Sequence, residues 1–317
     1  MTSPVVTISQ DTKLSYADDG AALTFTAGGQ QIASYTYRPT DAQYESPRPY
    51  FHPLTTLGGD EVTIFRPWDH VWHKGLSLSL PNVGKDNFWG GATYTRATEY
   101  ADLDNNGAMK HQAFSAIDED GVGITAAEEL VWSSQDGAPV IAEKRRFNIQ
   151  LLGVPGVQAW ALLFETEMSN ISPEDIVIGS PTTEGRDNAG YGGLFWRGPR
   201  SFTGGEFISS AGTGHDELMG TRSEWIGFSG RHDDSCNFSS ITFVEDGANP
   251  GAPNQWFARS SMFACLGSAP FFSKEVVLSE GQPLTYRYAV VISDGQLDAE
   301  SASALSAAAK AALGDWA

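Results

Sequence analysis

The sequence predicts an all-β protein: a large antiparallel β-sandwich with one helix near its C-terminal end. Short β-branched and aromatic runs, punctuated by glycine and proline, recur along the whole chain. Only one segment carries helical periodicity. Strands do not alternate with helices, so a parallel α/β sheet loses support.

Taken in order, Val5 to Ile8, Leu23 to Ala27, Gln31 to Tyr37, Val62 to Phe65 and Leu76 to Leu80 have strand character. Asp18-Asp19-Gly20 and Gly28-Gly29 are turn signals between the first strands and suggest an opening meander. In Leu76-Ser77-Leu78-Ser79-Leu80 the leucines should face one side and the serines the other. Later strands are expected at Ala126 to Trp132, Glu143 to Leu152, Ala159 to Met168, Ser240 to Glu245 and Leu284 to Ile292. The alanine-rich stretch from Asp298 to Leu313 places Leu305, Ala308, Ala309 and Ala312 at helical spacing, with Gly314 beyond it. No linker, charge block or repeat divides residues 1–317, which predicts a single domain with a capping helix over about 298–313.

Composition narrows the function classes. With 20 basic and 39 acidic residues the formal charge is -19, a field that repels nucleic acid and anionic membranes. The longest apolar runs, such as Ala159 to Phe164, are too short to cross a bilayer as a helix. The opening MTSPVVTISQ lacks a basic stretch followed by an apolar core, so no secretory signal is expected and the cytoplasm is the default. Two cysteines, Cys236 and Cys265, read as free thiols in a reducing compartment.

Chemistry concentrates between Arg48 and Gly91. There Arg48-Pro-Tyr-Phe-His-Pro-Leu, Arg66-Pro-Trp-Asp-His-Val-Trp-His-Lys-Gly-Leu and Asn87-Phe-Trp-Gly-Gly gather three of the six histidines beside arginines and tryptophans. A histidine pair beside a carboxylate suits proton transfer or metal binding, because imidazole titrates near neutrality. In a regular strand His70 and His73 would point to opposite faces, and Lys74 would lie among core leucines. A bulge near Gly75 resolves that conflict and brings both histidines to one side. His70, His73 and Asp69 are therefore candidate catalytic residues, with Arg48, His52, Arg66, Lys74 and Asn87 as candidate ligand contacts. A divalent metal on His70 and His73 is the alternative. It requires a third ligand, such as Asp69, His111 or Glu184, that only the fold can bring close. Trp68, Trp72 and Trp89 read either as core or as stacking faces for a sugar, whose CH faces lie on aromatic rings.

A second cluster runs from Pro181 to Arg197. Glu184 is its only glutamate and a candidate general acid or base, while Arg186, Tyr191 and Arg197 are candidate binding residues. Asn254-Gln-Trp-Phe-Ala-Arg259 forms a third polar-aromatic patch, either site wall or core. The chain has no Gly-x-Ser-x-Gly elbow, His-Glu-x-x-His, dinucleotide fingerprint or Cys-x-x-Cys, which removes support for the usual routes of serine hydrolysis and hydride transfer.

These segments, with Ala189-Gly-Tyr-Gly-Gly-Leu-Phe-Trp-Arg197 and Tyr286-Arg-Tyr, resemble a bacterial family that carries the name methane oxygenase PmoA. A methane-oxidising membrane subunit needs spanning helices with copper ligands, and no membrane-length apolar run is present. More remotely, Asp69-His70-x-Trp-His73-x-Gly75 and Ser169-Asn170 resemble the galactose-mutarotase-like supersandwich, with Glu245 in the place of its late glutamate. That resemblance implies a sugar groove. The sequence thus leads to a carbohydrate-active enzyme of glycoside hydrolase or lyase type, acting by acid/base catalysis at or near the anomeric carbon of a sugar or oxidised sugar glycoside. The alternatives are an aldose 1-epimerase and a non-catalytic sugar-binding protein. The expected partner is a small carbohydrate.

Overall fold

The computed structural model describes residues 12–316. Two antiparallel sheets dominate it. One has eight strands in the spatial order Leu14–Asp18, Ala22–Ala27, Gln30–Thr36, Tyr50–Leu54, Leu76–Ser79, Gly193–Arg197, Cys265–Ala269 and Gln255–Arg259. The other has nine, and its centre is built from the long strands Pro139–Val154, Val157–Asn170 and Pro283–Asp294. The strand expected at Val5 to Ile8 lies outside the described residues. The opening meander forms as expected, with Leu14–Asp18 as its first strand and glycine turns on either side of Ala22–Ala27.

The sheets pack face to face because each alternates apolar and polar residues at period two. Phe25 meets Phe147 edge-on at 6.1 Å between ring centroids, and the Trp160 indole donates across the interface to the Thr55 carbonyl at 2.8 Å. Burial of each such aromatic contributes roughly 1.5–3 kcal/mol. A polar seam crosses this core and is internally satisfied. Arg145 donates to both Glu143 oxygens at 2.8 and 2.9 Å and to the Tyr35 hydroxyl at 3.0 Å, and Tyr35 in turn donates to Glu128. His111 bonds Glu128 at 2.7 Å in the same seam, which removes it from any shared metal site with His70 and His73.

The helix spans Ala299–Asp315 and starts with a capping box in which Asp298 and Ser301 satisfy each other's backbone N–H groups. Its small residues Ala302 and Ala309, with Leu305 and Leu313, let it lie close against the outer face of the nine-stranded sheet.

One expectation changes. Val62 to Phe65 is not a strand; it crosses the end of the eight-stranded sheet, where Ile64 donates to the Arg197 carbonyl at 3.1 Å and accepts from Gly75 N–H at 3.1 Å. The leucines of Leu76–Ser79 face the core and its serines the opposite side, as expected, and that serine face is covered. Ser77 and Ser79 are buried and bonded to each other at 3.0 Å, because the chain around Arg48 folds over them and Arg48 Nε donates to Ser77 at 3.2 Å.

Candidate functional site

On Gly193–Arg197, Leu194 and Trp196 point into the sandwich, so Phe195 and Arg197 point outward. Cys265 and the pair Phe257 and Arg259 face the same way from the two neighbouring strands. This outer sheet face is the floor of the site. The segment from Arg66 to Gly75 folds over it as successive turns, not as a bulged strand. His70 N–H donates to the Pro67 carbonyl at 3.0 Å and His73 N–H to the His70 carbonyl at 2.9 Å. The turns end at Gly75, whose φ is +68° and where a Cβ would lie 2.4 Å from the Phe51 carbonyl oxygen, so only glycine fits. His70 and His73 consequently stack, with centroids 4.6 Å apart and planes 17° from parallel. The departure from a regular strand is as the period-two argument requires; the device is different.

Each imidazole has its Nδ1 committed to the protein. His70 Nδ1 lies 2.9 Å from Asp69, and an ionised carboxylate only accepts, so His70 donates there and keeps its lone pair on Nε2. His73 Nδ1 lies 2.9 Å from Arg197, and a guanidinium only donates, so His73 accepts there and carries its proton on Nε2. Asp69 also receives Arg197 at 3.2 Å and Arg200 at 2.5 Å. Burial alone would raise its carboxyl, but the His70 hydrogen bond and the Arg197 charge outweigh it and hold Asp69 well below the usual carboxylate range. Burial lowers His70 despite the opposing pull of Asp69. His73 falls well below the ordinary imidazole value, first through burial and then through its cationic neighbours, so it is neutral at neutral pH.

Both histidines open onto a cavity of about 400 Å³. Its walls are aromatic: Trp72, Trp89, Tyr191, Phe195, Phe257 and Phe263. Trp89 and Tyr191 lie against each other at 4.6 Å, and the Arg197 guanidinium sits 3.6 Å over the Phe263 ring. Asn87 shapes this wall from behind, accepting from the N–H groups of Trp89 and Gly90 at 2.8 and 2.9 Å. Arg186 also borders the cavity; it donates to the Tyr100 hydroxyl at 2.5 Å, which bonds Tyr191 at 2.9 Å.

The structure therefore brings His70, His73, Trp89, Arg186 and Tyr191 onto one cavity, with Asp69, Asn87 and Arg197 directly behind. Five other candidates lie elsewhere. Arg48 is fully buried and spends its donors on protein, holding the Trp72 carbonyl at 2.6 Å and those of Glu45 and Ser46. Lys74 is buried against Asp41 at 2.9 Å and Glu45, and Arg66 forks onto Glu45 at 2.9 and 2.7 Å. His52 bonds Thr63 at 2.9 Å. Glu184 accepts from the Arg96 N–H at 3.2 Å and does not border the cavity. In each case a partner close in space claims the side chain, an acid for Arg66 and Lys74, a hydroxyl for His52 and backbone groups for Arg48 and Glu184. Glu245 is also distant; it clamps Asn254, accepting its N–H at 2.7 Å.

Of the lining residues, Ala92, Tyr100, Met262 and Phe263 carry no signal in the sequence reading, and Cys265 figures there only as a free thiol. Arg259 and Phe257 lay in a patch left open between wall and core; they are wall. No three histidine, cysteine, aspartate or glutamate side chains gather in a metal-binding group among the described residues.

No curated protein matches the chain. Among solved structures, a glycoside hydrolase family 36 α-galactosidase of Geobacillus stearothermophilus, crystallised in complex with raffinose, aligns with a TM-score of 0.39 at 9% identity. The alignment covers 90% of this chain and 41% of that one, so the chain spans less than half of the enzyme's length. So distant a likeness says nothing about what this chain binds. The description of the matching family does not carry the methane oxygenase name. The chain belongs to DUF6807, a family of unknown function, which matches it over residues 22–307.

Proposed function

We propose that the protein is a carbohydrate-active enzyme that breaks a bond at or next to the anomeric carbon by proton transfer through His70 and His73. One observation carries the reading: two stacked imidazoles on one cavity offer a ligand opposite faculties. His70, fixed by Asp69, offers a lone pair at Nε2; His73, fixed by Arg197, offers a proton at Nε2. Aromatic walls around them suit the CH faces of a sugar ring.

The same geometry favours a lyase over a hydrolase. Most glycosidases use two carboxylates about 5–10 Å apart across the scissile bond. Among the described residues no carboxylate borders this cavity, and Asp69 behind it is held by three cationic or donor groups. An imidazole is too weak a base for an ordinary C–H bond, yet strong enough for one acidified by an adjacent carbonyl. The substrate that fits is an oxidised sugar glycoside. His70 takes the proton from the carbon next to the anomeric one; that electron pair forms a double bond to the anomeric carbon, and the glycosidic oxygen leaves. His73 donates a hydrogen bond to the carbonyl oxygen on which negative charge develops, and the proton taken by His70 passes to the departing glycosidic oxygen, which leaves as an alcohol and restores His70.

Nitrophenyl glycosides and their keto-sugar counterparts test this. The expected result is release of nitrophenol from the keto forms, reduced about 10²–10⁴-fold in His70→Ala, the range of a positioned general base. Turnover of keto glycosides that survives in His70→Ala, or turnover of the unoxidised forms alone, refutes the proton-transfer reading.

A further inference from the structure

We infer that the ligand of this cavity carries an anionic group, a carboxylate or a phosphate, and that Arg186 and Arg259 receive it. This rests on the sugar reading above and names the class of sugar.

The chain holds 39 acidic residues against 20 basic ones, so a cavity lined at random would hold more acids than bases. This one is lined by two arginines and, among the described residues, by no aspartate or glutamate. Neither arginine has an ion-pair partner among the described residues. Arg186 donates to the Tyr100 hydroxyl at 2.5 Å and lies 4.8 Å over the Tyr100 ring. Arg259 lies 5.5 Å over the Phe257 ring. Asp216 acts on Arg259 through space, but its carboxylate is occupied by the N–H groups of Ser260 and Ser261 at 2.6 and 3.1 Å and by the Ser261 hydroxyl.

A guanidinium lying over an aromatic face still offers N–H groups around its edge; Arg186 spends one terminal nitrogen on Tyr100, and the remaining donors of the two arginines match the oxygens of a carboxylate or phosphate. Arg186 reaches Tyr191 through the Tyr100 hydroxyl, which it meets at 2.5 Å and which bonds the Tyr191 hydroxyl at 2.9 Å; Arg259 lies over the Phe257 ring, which meets Tyr191 edge-on at 5.6 Å, so both arginines sit one residue away from the same point of the wall. That point is separated from the histidines by a chain of rings, His73 to Trp89 at 5.5 Å and Trp89 to Tyr191 at 4.6 Å. Register gives the same spacing: Arg259 pairs with Cys265, which pairs with Arg197, placing Arg259 two strands from Arg197, or about 10 Å. A sugar ring lying across the aromatic floor reaches from the proton-transfer pair to the arginines. The anion supplies the counter-charge that the protein withholds.

Calorimetric binding of D-glucuronate and D-galacturonate, their 6-phosphate counterparts and the parent neutral sugars tests the inference. The wild type should prefer an anionic sugar by about 10–100-fold, the worth of a hydrogen bond to a charged group, with the preference shrinking as sodium chloride is raised. Whichever anionic series binds tighter identifies carboxylate or phosphate. In Arg186→Gln and in Arg259→Gln, each verified as folded by an unchanged ligand-free melting temperature, the ratio of anionic to neutral affinity should fall toward one. Neutral sugars that bind as tightly as anionic ones, or a preference that survives both substitutions, overturn the anion inference and leave the sugar reading standing. Binding of no sugar in either series overturns the anion inference, while the sugar reading stands or falls separately on the turnover of keto glycosides.

Discussion

Arg197 donates to Nδ1 of His73 at 2.9 Å while its other terminal nitrogen reaches Asp69, the residue that holds His70. One guanidinium therefore governs the tautomer of the first imidazole directly and touches the carboxylate that governs the second. Its fork is what makes the double contact possible, and lysine cannot reproduce it.

Arg197→Lys should consequently release His73 into a mixture of tautomers. Nitrogen NMR of the imidazoles reads this directly: the wild type should show His73 protonated at Nε2 alone, the variant both forms. Stability should fall by about 1–3 kcal/mol, the cost of a buried donor or acceptor left unsatisfied. A variant that keeps a single Nε2–H tautomer contradicts the assigned role.

Stability should also depend on pH through buried histidines. Burial lowers His52 to about 4. The unfolded chain then binds a proton below about pH 6.5 that the folded chain refuses, so stability is present above that value and falls as the pH drops toward 4. The slope approaches about 1.4 kcal/mol per pH unit for one such group. His73 acts in the same direction. Below the ordinary aspartate value the loss continues, because Asp69 must be protonated against its partners. Urea midpoints of wild type and His52→Asn across this range isolate one histidine from carboxylates such as Glu61, which burial pushes up. Parallel pH profiles for the two proteins contradict the assignment.

Lys74 offers a test of placement. It is buried against Asp41 and Glu45, and Glu45 also accepts both nitrogens of the Arg66 fork. Glu45→Gln should cost about 3 kcal/mol in denaturant unfolding, since it leaves a buried ammonium short of charge. If Glu45→Gln instead leaves stability intact and weakens only ligand binding, the cluster faces the cavity after all.

How much of this was legible in the sequence follows from what each signal encodes. Period-two alternation encodes the sheet, and the strands expected from Leu23 to Ile292 rest on it; Val62 to Phe65 forms no strand because a β-branched run says nothing about whether a partner strand lies beside it. The misfit of Lys74 among leucines located the irregular backbone at Gly75. Residue type alone, however, does not say which way a side chain points. Arg48 and Lys74 looked like ligand contacts because they neighbour His70 and His73 in sequence, yet their partners Glu45 and Asp41 turn them inward. The residues that do line the cavity come from strands far apart in sequence, joined by registers such as Arg197 with Cys265 and Cys265 with Arg259. Alternation within Leu194-Phe195-Trp196-Arg197 and Trp256-Phe257-Ala258-Arg259 gave the pairing of faces; only the sandwich decides which face is outside.

Gly90 joins the buried cluster to the cavity wall. Its φ is +100°, and a Cβ there would lie 2.6 Å from the Trp72 Cβ and 2.7 Å from the Glu45 carbonyl oxygen. Trp72 cannot simply retreat, because Arg48 holds its carbonyl at 2.6 Å. Gly90→Ala should therefore push the Trp72 ring toward the cavity or strain the turn at Glu45, at a cost of about 1–3 kcal/mol for a side chain forced into the left-handed region. The two responses separate in measurement. A displaced Trp72 narrows the sugar-binding space and should change tryptophan fluorescence and weaken ligand binding, with little change in the pH dependence set by His70 and His73. Unaltered fluorescence and binding together with unaltered stability would mean that Trp72 is not packed on Gly90 in solution, and the wall as described would not stand.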